Sequence, residues 1–320
     1  MDNLTHTLVG LMMARCGLEK TVRGAGMMML AANAPDIDAI TWFDRVNYLD
    51  YHRGYTHAFA LAPVVALLPM ALARMKFTWR TYLAALACVL THPLLDWTNP
   101  FGLQMYLPFS PKRAMLDITN VIDPWIWLIL LTGAFAPMLM GAFVPLLTGA
   151  RAPTPPDARA PTLPRGAPAG SRRGWAVAAL ALLLGYEGLR FSAHAMALEV
   201  MASRLYDGAA PQRVLAVPVG INPFVWRGIV ETGDVVRILP VSLRGEFDSK
   251  AARVFQQSPP GPAIDAARRT HPFQVFLRFS RAPFWKATSV DGGTLVELID
   301  LRFGSPDAPG FGAVSTRYPK

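Results

Sequence analysis

Charge is scarce in this chain. Only 17% of its 320 residues are charged, against about 25% in an ordinary soluble domain. Hydrophobic residues make up 52% and the mean hydropathy is +0.28, which disfavours a wholly soluble protein. Acidic residues are the scarcer sign, 22 against 31 basic, leaving a net charge of +9. An excess of that kind raises the question of nucleic acid, but no aromatic-basic platform or nucleic-acid motif is present. The basic residues fall instead in turns between apolar runs, the pattern of membrane orientation. Cysteine is nearly absent. Cys16 and Cys88 stand far apart beside apolar runs, which excludes a disulfide framework, a CxxC motif and a cysteine zinc knot. The start lacks a basic leader region and carries Asp2, so it reads as retained rather than as a cleaved signal peptide.

The apolar residues are blocked. Residues 4–14 and 24–43 are short or interrupted, with Pro35 marking a break before Asp36 and Asp38. Residues 58–73, 82–97 and the uncharged 125–148 read as membrane candidates, and 174–198 as a further span. The expected fold class is mainly α: a multi-pass transmembrane helical domain (1–148), a Pro/Ala/Arg-rich linker (149–173), a further transmembrane helix (174–198) and a soluble β-rich domain (199–320). In that last part RVLAVPVG, GIVETGDVVRILPVSL, FQVFLRFS and TLVELIDLRF read as strands and turns. If every apolar segment crosses, Arg15, Lys20 and Arg23, then Arg74, Lys76 and Arg80, then Arg151, Arg159, Arg165, Arg172 and Arg173 share one side, which should be cytoplasmic. The candidate ligands and the C-terminal domain then lie on the periplasmic or outer side of a bacterial inner membrane.

Those candidates come from Tyr51–Asp96. YHRGYTH places His52 and His57 ahead of one apolar run, and THPLLD places His92 and Asp96 at the end of the next. A hairpin turning at Arg74, Lys76 and Arg80 brings its ends together. His92 and Asp96, four apart, share a helix face. PDID adds Asp36 and Asp38, and LTH adds His6. A histidine or aspartate at a helix end is usually a cap or a solvated group. Seven of them gathered at one end of apolar segments point to a site for one or two divalent ions, Zn²⁺ first, that activates water. Asp38 or Asp96 could act as base. Arg53 could bind an anionic substrate oxygen or pair with Asp50, and Thr56 and Thr91 could orient imidazoles. Asp117 and Asp123 are second-tier, Asp123 reading better as a helix cap before Pro124. His194 and His271 stand apart and read as structural.

MDNLTH, NAPDID, HRGYTH and THPLLDWTNPFG resemble the YdjM-type family of inner-membrane-associated, metal-dependent hydrolases over roughly residues 1–125, and INPFVWRGIVET is similar to a stretch of longer members. The resemblance implies an integral membrane protein and a hydrolase whose motif residues fall on His6, Asp36, Asp38, His52, His57, His92 and Asp96. The favoured expectation is a membrane-bound hydrolase in which metal-activated water attacks an ester or phosphoester, a lipid among the candidates, at the outer face of the bilayer. The alternative is a non-catalytic, metal-stabilised membrane scaffold whose C-terminal domain binds a partner. A metal transporter is a third reading, disfavoured by the one-sided cluster.

Overall fold

The computed structural model describes residues 1–18, 21, 24–148, 169–310 and 313–319. The chain opens with α1 (Asn3–Met13), whose start is set by Asp2. Its carboxylate accepts from the backbone N–H of Leu4 and Thr5, a side-chain cap. A turn with Gly17 at φ 127° ends that helix. Next come α2 (Gly26–Asn33) and a 3₁₀ segment (Ala34–Phe43) with Pro35 in its first turn. After α3 (Arg45–Tyr51) a tight turn leads to the single 3₁₀ turn Tyr55–His57. Two short helices, α4 (Ala62–Val65) and α5 (Leu67–Leu72), precede α6 (Trp79–Trp97). α7 (Pro124–Thr148) and α8 (Ala169–Ala202) complete the helical part.

This arrangement corrects the expectation of a multi-pass transmembrane domain. Among the described residues one helical stretch, Ser171–Ala202, is long and apolar enough to cross a bilayer. Crossing about 30 Å takes about 20 residues. At 1.5 Å per residue α1 spans about 16 Å and α2 about 12 Å. The 58–73 run breaks into α4 and α5, which lie at 83° to the preceding helical stretch. The apolar residues of these pieces are used on each other instead: Met28, Ala31, Ala32, Ala66, Ala85, Cys88 and Val89 form one buried cluster. The side chains of α7 beyond Met140 lie outside the described residues, so its described apolar stretch is Pro124–Met140. The parity argument from basic turns needs every apolar segment to cross, so it loses its basis. Lys20, Arg23, Arg151, Arg159 and Arg165 lie outside the described residues, as does most of the expected linker. Its last residues, from Ala169, belong to α8.

The C-terminal part is β-rich, as expected. Strands β1 (Arg213–Pro218), β2 (Val225–Thr232), β3 (Val235–Ser242) and β4 (Arg253–Gln256) form an antiparallel sheet in sequence order. Strands β5 (Pro283–Val290), β6 (Gly293–Asp300) and β7 (Ala313–Pro319) form a second. Between them lie α9 (Pro262–Arg268) and α10 (His271–Phe279). FQVFLRFS is therefore helical. Phe273, Phe276 and Phe279 recur every third residue and are all buried on one face of α10. The end of α8 is built into the first sheet, with Ala197 and Met201 in a core with Trp226, Val230 and Leu239.

Close approach of α1 to α2 places the first candidate histidine. A Cβ on Gly10 would lie 2.6 Å from the Met28 carbonyl oxygen and 2.9 Å from the Met29 Cα. Gly10→Ala is expected to destabilise the protein by about 1–3 kcal/mol through overpacking, lowering the thermal midpoint. Gly26→Ala, with nothing within 4 Å of the added carbon, should leave it level or raise it. An unchanged midpoint for Gly10→Ala would contradict this packing.

Candidate metal centre

The site is assembled where α1, the α2–3₁₀ junction, the Tyr55–His57 turn and the end of α6 meet. His6 sits on the second turn of α1 and is fully buried. Asn33 secures the next segment by donating to Thr7 Oγ1 (2.9 Å) and the Met29 carbonyl (2.8 Å). Asp36 follows in the first 3₁₀ turn, held by Asn3 Nδ2 at 3.1 Å from Oδ2. His92 and Asp96 are fully buried on one face of α6. Arg53, in a left-handed backbone conformation (φ 60°), and Gly54 make the turn that delivers His57. A Cβ on Gly54 would lie 2.8 Å from the Tyr51 carbonyl oxygen.

Two carboxylates each approach a pair of imidazole nitrogens. His57 Nε2 and His92 Nε2 are 3.1 Å apart. Asp36 Oδ1 lies 3.4 Å from each. Asp96 Oδ2 lies 3.5 Å from His57 Nε2 and 3.6 Å from His92 Nε2. Bonds of 2.0–2.1 Å to a tetrahedral Zn²⁺ would set its donors about 3.3 Å apart, and His57, His92 and Asp96 form a group close enough to share an ion.

Hydrogen bonding decides which nitrogens face the centre. His92 Nδ1 is 2.6 Å from the Ala32 carbonyl, which can only accept, so Nδ1 carries the proton. Thr56 donates its hydroxyl to Asp38 Oδ2 at 2.7 Å, leaving its oxygen to accept from His57 Nδ1 at 3.1 Å. In the neutral rings both Nε2 lone pairs then point at one spot. At 3.1 Å they repel unless a proton or a metal cation stands between them. His6 stacks on His92 with ring centroids 3.6 Å apart, and its Nε2 is 3.5 Å from Asp96 Oδ1. Both His6 nitrogens are buried without a hydrogen-bond partner. His6, Asp36 and His92 form a further group close enough to share an ion, as do Asp36, Asp38 and His52.

The electrostatics favour donors ready for a cation. Burial lowers His92 to about 4, with His57 adding to the shift. Burial, then His92, lowers His6 well below its ordinary value. Burial works to raise Asp36 and Asp38, but the imidazoles beside them hold both carboxyls well below the usual range. Neutral imidazoles and ionised carboxylates are the forms that ligate metal.

The expected residues divide by position. His57 and His92 face each other, Asp36 and Asp96 each approach both, and His6 stacks on His92. Asp38 turns away from that point: Oδ1 pairs with His52 Nδ1 at 2.8 Å, and Oδ2 accepts from the Arg53 N–H at 3.0 Å and from Thr56. Arg53 does not pair with Asp50, which takes Arg278 at 2.6 Å. Its Nε lies 3.0 Å from Asp96 Oδ2, without the alignment of a hydrogen bond, and its Nη1 donates to Asn99 Oδ1 at 2.9 Å. Thr91 bonds the Cys88 carbonyl within its own helix. Asp117 pairs with Arg281, Asp123 caps α7, and His194 meets the Ala216 carbonyl. Asn99, buried between Arg53 and Asp96, was not among the residues singled out from the sequence. The same holds for Arg113, which donates to the Leu49 and His52 carbonyls. The Met1 amine also contacts Asp96 Oδ1.

A histidine kept neutral by burial binds its proton more readily in the unfolded chain, where its pKa is about 6.5. Between there and the His92 value of about 4 the unfolded state takes up more protons. Stability contributed by this group is therefore present above about 6.5 and lost as pH falls. The metal-free protein should show a falling thermal midpoint from pH 6.5 towards 4 in the presence of chelator, and loading with Zn²⁺ at neutral pH should raise it. A midpoint that rises on acidification through this window would contradict the buried neutral imidazoles.

The family model described as YdjM inner membrane protein matches residues 1–197, a stretch that contains every residue of the centre. The chain is also 28% identical over 145 residues to an uncharacterised protein of Bacillus subtilis (strain 168), YfhP. That match covers 40% of this chain and 43% of the relative, so the similarity spans less than half of the relative's length. No solved structure matches. With more than half of its residues matched by that model, the chain belongs to the YdjM inner membrane protein family.

Proposed function

We propose that the protein is a metal-dependent hydrolase of esters or phosphoesters acting at a membrane surface. The observation that carries this is a pair of imidazole nitrogens 3.1 Å apart, with a carboxylate oxygen of Asp36 and one of Asp96 each 3.4–3.6 Å from both, beside an open cleft. His57, His92, Asp36 and Asp96 would hold the ion, with His6 available as a further ligand. Zn²⁺ is the first candidate. A divalent cation there supplies Lewis acidity, acidifying water and polarising a phosphoryl or carbonyl oxygen.

The chain's own residues supply the rest. His52 lines the cleft, and its Nδ1 is bound to Asp38. That leaves Nε2 to accept a proton from water and return it to the leaving group, with Asp38 orienting the ring. Asp38 thus takes a positioning role rather than the base or ligand role expected from spacing. It also orients His57 through Thr56. Asp96 is a ligand rather than a base, because its oxygens face His57, His92, His6 and Arg53. Arg53, which also lines the cleft, offers the fixed positive charge for an anionic oxygen.

The metal-stabilised scaffold is the second reading, favoured by the number of protein donors. Four of them can close a structural zinc site, whereas catalytic sites keep a position open. Against it, Asp36 retains 13% side-chain exposure and lines the cleft, which a purely structural site does not require.

His57→Ala and His92→Ala should each lose stoichiometric metal on elemental analysis of detergent-purified protein. His52→Ala should keep the metal and lower kcat on an activated phosphodiester or ester by about 10²–10⁴-fold. Metal retained with no turnover of any ester or phosphoester by the wild type would favour the scaffold. Absence of metal after loading would sink both readings.

A further inference from the structure

The cleft beside the candidate centre is larger than a catalytic water and a head group need. Its volume is about 1620 Å³, where pockets for small ligands run to roughly 300–1,000 Å³. Its polar lining includes Asp36, His52, Arg53 and Asn3. The remainder is mostly apolar, and its two walls come from different parts of the chain. Trp42 and Phe43, on the 3₁₀ segment that carries Asp36, form one wall. Val217, Val275, Phe276 and Phe303 of the C-terminal domain form the other.

Two features make this a built cavity rather than a gap between loosely placed parts. The C-terminal domain is fastened to the loops around the centre. The Arg302 guanidinium is fully buried, pairs with Asp300, donates to the Phe279 carbonyl at 2.9 Å and reaches the Pro100 carbonyl. Arg278 pairs with Asp50 and Arg281 with Asp117. The domain is also mounted directly on the candidate membrane helix, since α8 ends at Ala202 inside the core of the first sheet and β1 begins at Arg213. At the rim the apolar wall continues into the open: Ile40, Trp42 and Phe43 are 73%, 65% and 82% exposed. Exposed aromatic residues of this kind suit a bilayer interface.

We infer that the substrate of this site is an amphiphile, an anionic ester or phosphoester head joined to a hydrocarbon chain. The head lies at Arg53 and Asp36, and the chain lies between the Trp42–Phe43 wall and the apolar face supplied by the C-terminal domain. The inference rests on the hydrolase reading for the head group, while the chain site stands on the cleft alone. On this reading the C-terminal domain completes the substrate cleft and selects for chain length. A cleft lined both by Asp36 of the donor cluster and by the exposed Trp42 and Phe43 favours a bilayer molecule over a soluble one.

Binding is the quantity to measure, because it does not depend on finding the natural substrate. Zn²⁺-loaded full-length protein in nanodiscs is titrated with methyl phosphate and with octyl phosphate, empty nanodiscs serving as the blank. Octyl phosphate should bind at least about 10-fold more tightly, from burial of its additional methylenes. The increment should shrink in Phe303→Ser and in Trp42→Ser/Phe43→Ser, whose mutated aromatics in the second case are exposed and should leave the thermal midpoint unchanged. Equal affinity for the two phosphates, both metal-dependent, would overturn the chain site and leave the hydrolase reading standing. A chain-length increment that persists without metal would support the cleft and count against the head-group assignment. No binding of either phosphate to the loaded protein would overturn both.

Discussion

Two imidazole nitrogens 3.1 Å apart with their protons on the far side repel each other unless a proton or a cation stands between them. Two carboxylates, one of them wholly buried, lie 3.4–3.6 Å from those nitrogens, where the cost of unpaired charge would be several kcal/mol. The surrounding structure depends on this constraint. It explains why short apolar helices carry histidine and aspartate inward, why Asn33, Asn3 and the Asp2 cap fix the approach of α1 to the 3₁₀ segment, and why Arg53 accepts a left-handed backbone conformation to bring a guanidinium beside Asp96. Each of these places a donor or neutralises one.

A second layer holds the first. The Ala32 carbonyl and Thr56 set the proton positions on His92 and His57, and Asp38 ties Thr56, His52 and the Arg53 backbone into one unit. Arg113 holds the Leu49–His52 backbone from outside, and through Phe279 and Phe101 it touches the same aromatic group that Arg302 packs on. The C-terminal domain is thereby linked to the candidate centre through a chain of buried cations, carbonyls and rings. Its sheets lie far away in sequence, yet they form part of the cleft.

The candidate ligands were legible in the sequence because their types are costly where they stand. Histidine and aspartate at the ends of apolar runs have few bland explanations once seven of them share one end, and His92 and Asp96 declare a common helix face by spacing alone. Their division into converging donors and orienting partners was not legible. Asp36 and Asp38 are two residues apart in one motif, and only the 3₁₀ conformation sends one to the centre and the other to His52. Asn99 gave no signal beyond its turn chemistry, because an asparagine after a helix is usually a turn residue.

Composition and patterning by themselves determined that the chain is membrane-associated in character, that its C-terminal part is β-rich and where its ligand candidates lie. Hydropathy is a sum over a window, so it registers apolar content whether a helix is continuous or broken. Only the tertiary structure decided that the first apolar runs fold into short helices packed on one another, leaving one helix among the described residues long enough to cross. The same blindness affects FQVFLRFS, where apolar and aromatic residues suit a strand as well as a helix until a packing face selects the period of α10. Which side chains meet across more than thirty residues, and which of their atoms face each other, is settled by packing geometry that no local pattern contains.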